Sequence, residues 1–233
     1  MAGMRAGVRK LCVAYDVEHY SGRGTRREYA TQQRLADILE FAFREAGVPA
    51  DSVEVQEQGD GGLALLPTGG AIDEPRLIVG LISALAEGLN ELNEDLAEQA
   101  RVRLRVGVGE GVVHRAPHGY VGPAVIEVCR LRDADPVRSA LAGSDAPLVA
   151  VVAAGLYRDV LSQGYHGLPA SAFTEVEVAA KSYTGRAWIY LPGTRAPDAT
   201  PVSGAARSAA GNAENSSGGT RLHEFLDTEP DTW

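Results

Sequence analysis

The sequence is poor in cysteine, in aromatic residues and in long apolar runs. Only two cysteines occur among 233 residues, Cys12 and Cys129, and they form neither a CxxC pair nor a zinc-type spacing. Each sits in an apolar stretch, so two core thiols are expected rather than a disulfide. No apolar run approaches the roughly 18 residues of a membrane helix, and the first residues do not resemble a secretion signal. We therefore expect a cytoplasmic protein with no membrane partner.

Basic residues are also scarce relative to acidic ones. Lys and Arg total 22 against 31 Asp and Glu, which gives a formal net charge of -9 at pH 7. Such a chain lacks the broad positive field that binds nucleic acid or anionic lipid. With 45% hydrophobic residues over 233 positions, it has the material for one globular domain with a substantial core.

Composition divides the chain into three parts. Residues 1–8 are expected to be a loose leader, and residues 9–192 have the size and apolar content of a domain. Residues 193–233 are rich in small and polar residues without any apolar period, which predicts a disordered tail. Apolar residues return near Phe225 and at Trp233, so the tail either frays at its end or carries a short docking motif for an effector.

The domain-sized part has a readable order of strands and helices. Alternating or short apolar runs predict strands, and apolar residues spaced by three and four predict helices. The strands are predicted near 11–15, 53–56, 63–66 and 102–108, and the helices over about 28–46 and 74–99. This β-α-β-β-α-β order is that of a ferredoxin-like α+β sheet, in which the third strand lies between the first and second. Further strands at 148–152 and 187–191 and helices near 124–132 and 154–161 extend this core.

Two aspartates are brought together by this topology. Asp16 follows the first strand, and Asp60 lies in the glycine-rich turn that joins the second and third strands. Because the first and second strands are parallel, the end of one lies beside the turn that follows the other. Paired carboxylates at such a corner favour Mg²⁺ or Mn²⁺ shared with substrate phosphates. Either aspartate alone would be an ordinary solvated turn residue, so the prediction depends on the pair.

Five segments, in this order and spacing, resemble a known family. They are the first strand with its loop, the Gly-Asp hairpin, a glycine-rich strand, the helix after it and a late strand, at 13–21, 58–64, 104–111, 122–130 and 176–181. Over most of residues 9–192 the chain resembles the catalytic domains of class III nucleotide cyclases, which convert a nucleoside triphosphate to a 3′,5′-cyclic monophosphate and pyrophosphate. Among these it is most similar to compact stand-alone actinobacterial proteins, including pyrimidine cyclases of defence signalling. The resemblance implies a ferredoxin-like cyclase palm that works as a head-to-tail homodimer.

The resemblance also implies a metal and phosphate site. Two Mg²⁺ or Mn²⁺ ions per site would be held by the carboxylates of Asp16 and Asp60 and by the carbonyl of Val17. Lys181 would hold the terminal phosphates. Backbone N–H groups of the loop after the first strand would hold the phosphates as well, at His19, Tyr20 and Ser21.

Four further positions carry over to the transition state, the base and the ribose. Arg130, reaching the site from the partner subunit, would stabilise charge on the α-phosphate. The base-reading positions fall on Gln56 and Gly119, which assign neither purine, so the base stays open. The chain departs from the family at Ile126, where the family has an asparagine that orients the ribose, because an isoleucine side chain forms no hydrogen bond.

Three functions remain open at this point. The aspartates, Arg130 and Lys181 favour an active cyclase for intracellular signalling, including antiphage defence. Ile126 favours a catalytically degenerate domain that binds a nucleotide or mediates dimerisation. The third alternative is an unrelated ferredoxin-like regulatory domain, in which Arg130, Arg132 and Arg138 are a solvated helix face and Lys181 an ordinary surface lysine.

Overall fold

The computed structural model describes residues 6–70, 72–180 and 183–193. Lys181 and the predicted tail from residue 194 onward lie outside these ranges, so their predicted roles stay predictions. The strands are β1 (Val8–Val17), β2 (Glu54–Glu57), β3 (Gly61–Pro67), β4 (Leu104–Ala116), β5 (Gly119–Val121), β6 (Leu148–Ala153), β7 (Phe173–Ala180) and β8 (Tyr183–Tyr190). The helices are α1 (Thr25–Glu45), α2 (Glu74–Glu94), α3 (Pro123–Arg132), α4 (Asp135–Ala142) and α5 (Ala154–Asp159).

The strands form one mixed sheet with the order β2-β3-β1-β4-β6-β8-β7, and β5 pairs with β4 beside this path. Strand β3 is antiparallel to both β1 and β2, so β1 and β2 are parallel with β3 between them. This is the predicted ferredoxin-like arrangement, and the α+β class is confirmed. The strands beyond β4 continue the sheet through the parallel pair β4 and β6.

The two faces of the sheet are covered by different helices. Helices α1 and α2 cover the face that receives the odd-numbered residues of β1, including Leu11 and Val13. The even-numbered residues Cys12 and Ala14 point to the opposite face, where they pack with buried residues of α3. Asp16 continues this even-numbered series, so alternation directs it toward the face that carries α3.

The structure corrects three predicted boundaries. The second long helix ends at Glu94 instead of continuing to residue 99, because the buried Asn93 side chain binds the N–H and the carbonyl of Val102, both at 2.8 Å, and turns the chain toward β4. Strand β4 runs on to Ala116 and folds back as β5, and α4 was not predicted. Both missed elements are too short to show a clear period. Strand β1 begins at Val8, the last residue of the predicted leader.

Among the described residues, no helix combines the length and apolar character needed to cross a lipid bilayer.

Candidate active site

The two predicted metal-binding aspartates lie at the same corner of the sheet. Asp16 stands opposite Gly61 in the β1–β3 pairing, and Asp60 directly precedes β3. The N–H of Val17 donates to the carbonyl of Asp60 at 2.9 Å, which ties the hairpin turn to the end of β1. Burial is the main cause of the raised pKa of Asp16, and the charge of the neighbouring Asp60 carboxylate adds to it.

Glycine at position 61 is what allows the hairpin to lie so close to β1. A β-carbon built on Gly61 would overlap with the carbonyl oxygen of Tyr15 and lie 3.0 Å from the α-carbon of Asp16. Both neighbours are backbone atoms, so no side-chain rotation relieves the overlap. The approach of the two aspartates therefore depends on a missing side chain.

Gly61→Ala is accordingly expected to destabilise the fold by about 1–3 kcal/mol, because the hairpin must move away from β1. Gly155→Ala is the matched control, since a β-carbon there meets nothing within 4 Å and the residue lies in α5. Urea unfolding of both variants measures the difference. A Gly61→Ala protein as stable as Gly155→Ala would show that the close approach is not required.

The carboxylate of Asp16 forms an ion pair with an arginine. Arg105 stands directly opposite Asp16 in the β1–β4 pairing, and the two side chains form an ion pair with only 15% and 13% of their surfaces exposed. Burial is the main cause of a raised pKa for Asp16, and the neighbouring charges of Arg105 and Arg132 oppose it. The aspartate is therefore a partly desolvated group whose charge is balanced by guanidinium groups.

Arg132 belongs to this corner rather than to a solvated helix face. Its side chain is 13% exposed. Its Nη1 donates to the carbonyl of Tyr15 at 3.2 Å, while Nε and Nη2 donate to the carboxylate of Asp133 at 2.9 and 3.1 Å. The end of α3 is thus fastened to the strand residue that precedes Asp16.

Arg105 and Arg132 are the site residues that sequence reasoning missed. Arg105 lies inside one of the matched segments without a role assigned to it, and for Arg132 the sequence offers only the alternative of a solvated helix face. The available signal was an arginine on the strand next to the one that carries Asp16.

The loop after β1 leaves backbone donors unused. His19 adopts a left-handed conformation with φ 52°. Arg23 braces the loop from inside, donating to the carbonyls of His19, Glu18 and Arg101 at 2.9, 3.0 and 3.0 Å. Within the described residues, none of the N–H groups from His19 to Ser21 donates a hydrogen bond. Such a run of unpaired N–H groups suits an anion.

The base-reading positions lie next to each other. Strand β5 folds over β2, and a β-carbon on Gly119 would overlap with the amide of Gln56. Strand β5 is held in this position by Glu54, which lies two residues before Gln56 in β2. The Tyr120 hydroxyl donates to the Glu54 carboxylate, and Lys10 forms a 3.1 Å ion pair with the same carboxylate. Gln56 and Gly119 therefore form a single small surface.

Helix α3 carries the remaining two positions on one side. Ile126 is 56% exposed, and Arg130 follows one turn later. The Nε of Arg130 is buried and has no hydrogen-bond partner among the described residues. Within the residues that the structure describes, Arg130 also forms no ion pair with Asp16 or Asp60.

Two cavities, of about 780 and 630 Å³, flank the loop after β1 and the start of α1. Their linings include His19, Ser21 and Arg23, but neither cavity is lined by Asp16 or Asp60. The aspartates thus lie outside these two cavities.

The oxygen donors at this corner fit a divalent ion that shares its coordination with a substrate. Within the described residues, no group of three or more His, Cys, Asp and Glu side chains is placed to hold a metal by itself. Mg²⁺ typically uses one or two carboxylates and completes its shell with water and phosphate oxygens. Asp16, Asp60 and the carbonyl of Val17 match that pattern, and the buried, unpartnered Nε of Arg105 beside them calls for a further acceptor.

No protein-family model matches this chain, and neither does any curated protein. Solved structures do match. An adenylate/guanylate cyclase/hydrolase from Silicibacter pomeroyi has a TM-score of 0.58 at 19% identity, over 82% of this chain and 100% of that one. The guanylyl cyclase domain of the RhoGC fusion protein from Blastocladiella emersonii has a TM-score of 0.53 at 15% identity, over 81% and 98%. The guanylate cyclase domain of RhGC from Catenaria anguillulae, in complex with GTP, has a TM-score of 0.51 at 16% identity, over 80% and 99%.

At these identities the similarity concerns the fold. The chain has the fold of adenylate and guanylate cyclase catalytic domains, and the ferredoxin-like palm fold implied by the sequence resemblance is confirmed. The similarity to actinobacterial and pyrimidine cyclases stays a prediction.

Proposed function

We propose that this protein is a nucleotide cyclase that converts a nucleoside triphosphate to a 3′,5′-cyclic nucleotide and pyrophosphate. The observation that carries the proposal is the corner where Asp16 and Asp60 meet, beside a loop with unused N–H donors, within a cyclase fold. Carboxylates, oriented donors and a guanidinium are the groups that phosphoryl-transfer chemistry requires. A cytoplasmic signalling role, including antiphage defence with the tail as effector contact, belongs to the same proposal.

Each group at the corner has a task in this reaction. Asp16, Asp60 and the Val17 carbonyl would hold two Mg²⁺ or Mn²⁺ ions, which when bound make the 3′-hydroxyl more acidic and neutralise the triphosphate. The loop N–H groups and Arg105 would hold the phosphates in line with the ribose. The 3′-oxygen would lose its proton to water and bond to the α-phosphorus, while the bond from that phosphorus to the bridging oxygen breaks and its electron pair leaves with pyrophosphate. Lys181 is proposed to contact the terminal phosphates.

The proposed site is completed by a second copy of the chain. Arg130 has a buried Nε without an acceptor and no contact with the aspartates of its own protomer. The aspartates also line neither of the two cavities beside the loop after β1. In a head-to-tail homodimer, one protomer would supply the aspartates. Its partner would supply Arg130 over the α-phosphate and the Gln56–Gly119 surface at the base. Arg130 would then stabilise the charge that grows in the transition state.

A degenerate nucleotide-binding domain is the second candidate, and Ile126 favours it. Its side chain is exposed beside Arg130, and it offers no hydrogen bond to a ribose. Loss of one such bond costs about 2–3 kcal/mol in the transition state, or about 10²-fold in rate. That loss slows a cyclase without removing its metal or phosphate groups.

Thermal unfolding with each nucleoside triphosphate, with and without Mn²⁺, tests this proposal and the alternatives. If the protein is a cyclase or a degenerate binding domain, a nucleotide together with Mn²⁺ raises its melting temperature, and Asp60→Asn removes that shift. Product formation then separates the two. A protein that no nucleotide stabilises, with or without Mn²⁺, would instead be a ferredoxin-like domain unrelated to nucleotides.

A further inference from the structure

We propose that Arg105 and Arg132 form a cationic latch on Asp16 that keeps the divalent ion out until a polyphosphate binds. The inference rests on the proposed function, because it assigns both the metal and the phosphates to this corner. It adds an order of assembly: the metal and the nucleotide bind cooperatively, and the free ion alone binds poorly.

Arg105 is the part of the latch that can move. Asp16 is its one ion-pair partner within the described residues, and its buried Nε lacks an acceptor there. The two side chains lie opposite each other on neighbouring strands, so they meet across a single pair of residues. An arginine with one partner and one orphan donor gains hydrogen bonds by moving to an acceptor that offers several oxygens, as a phosphate does.

Arg132 is the fixed part. Three of its N–H donors are engaged, two by Asp133 and one by the carbonyl of Tyr15. It sits close enough for its charge to act on Asp16 without a direct hydrogen bond. When Arg105 leaves, Arg132 therefore remains as a single positive charge beside the carboxylate.

This arrangement opposes a free divalent ion. A metal on the Asp16 oxygens would face the guanidinium of Arg105 at contact distance, in a corner where both side chains are at least 85% covered. A triphosphate offers Arg105 oxygens that accept parallel hydrogen bonds, including one for Nε. Asp16 is then released to the metal, so each ligand raises the affinity for the other by the same factor. That factor is expected to be about 10- to 100-fold.

Mn²⁺ binding to the full chain, followed by water-proton relaxation enhancement, tests the latch. Wild type is expected to bind Mn²⁺ weakly alone and to form a strongly enhancing complex once inorganic tripolyphosphate is added. Arg105→Gln is expected to bind Mn²⁺ alone at least about 10-fold more tightly than wild type. Arg105→Lys keeps the charge and should exclude the free ion as wild type does.

Arg9→Gln is the matched charge control. Arg9 lies near the start of β1 and pairs at 3.2 Å with Glu110 in the middle of β4, so its loss removes one positive charge without freeing Asp16. Asp60→Asn should lose Mn²⁺ binding in every background.

Tight Mn²⁺ binding to wild type without tripolyphosphate, or equal affinities in wild type and Arg105→Gln, would overturn the latch. If Arg105→Gln does not fold, wild type with and without tripolyphosphate still decides, because an unchanged Mn²⁺ affinity contradicts the proposal. The outcome is separable from turnover. If Mn²⁺ and tripolyphosphate bind cooperatively but no cyclic product forms, the proposed cyclase activity is rejected and the latch is retained. If a cyclic product forms but Mn²⁺ binds independently of tripolyphosphate, the latch is rejected and the cyclase activity is retained.

Discussion

Asp60→Asn is expected to lower cyclic nucleotide formation by at least about 10³-fold. The substitution exchanges a charged metal ligand for a neutral amide of the same shape. The carbonyl of residue 60 would still accept the Val17 N–H, so the corner keeps its backbone geometry. The rate of product formation at saturating Mn²⁺ measures the effect.

The control for Asp60→Asn is Asp37→Asn, which makes the same chemical change at an exposed position of α1. It should leave the rate within twofold of wild type, as expected for a surface change. If Asp60→Asn retained more than about a tenth of the wild-type rate, Asp60 would not be a metal ligand of the reaction.

Arg130→Ala should also abolish turnover, and mixing it with Asp60→Asn should restore activity. In a head-to-tail dimer each site takes its aspartates from one chain and Arg130 from the other. A heterodimer of the two variants then holds one site with every group intact. Random exchange of subunits makes about half of the dimers mixed, so about a quarter of the wild-type activity returns.

The complementation has a clear control and a clear contrary result. Mixing Asp60→Asn with Asp16→Asn should restore nothing, because both changes fall in the same half of the site. Absence of recovery with Arg130→Ala, in mixtures shown by mass to contain heterodimers, would place Arg130 and Asp60 in one protomer's site. If the Arg130→Ala variant is active by itself, the reaction does not require Arg130.

The corner of the sheet was predictable from the sequence because it depends on strand order. Apolar alternation located the strands, and the handedness of the crossovers placed β3 between β1 and β2. Those two facts bring the end of β1 beside the turn that holds Asp60. The loop whose backbone N–H groups from His19 to Ser21 have no acceptor among the described residues begins at the same end of β1, so its position was predictable as well.

The ionic partners at that corner were not predictable in the same way. Whether Arg105 faces Asp16 depends on the register between β1 and β4, and a shift by one residue would send it to the other face. Whether Arg132 is buried depends on the rotation of α3 about its axis, which the packing of the neighbouring strands sets. Neither quantity is written in the local pattern of charges. The short strand β5, which brings Gly119 to Gln56, is likewise fixed by pairing rather than by periodicity.

One experiment decides whether the protein is a cyclase. The purified full chain is incubated with Mn²⁺ and with ATP, GTP, CTP or UTP, beside the Asp60→Asn variant, and the products are analysed by mass spectrometry. We predict a 3′,5′-cyclic monophosphate from at least one nucleotide, absent with Asp60→Asn, which would also identify the base. No cyclic product from any of the four at high protein concentration would contradict the proposed activity and leave a degenerate nucleotide-binding domain with Ile126 at its ribose position.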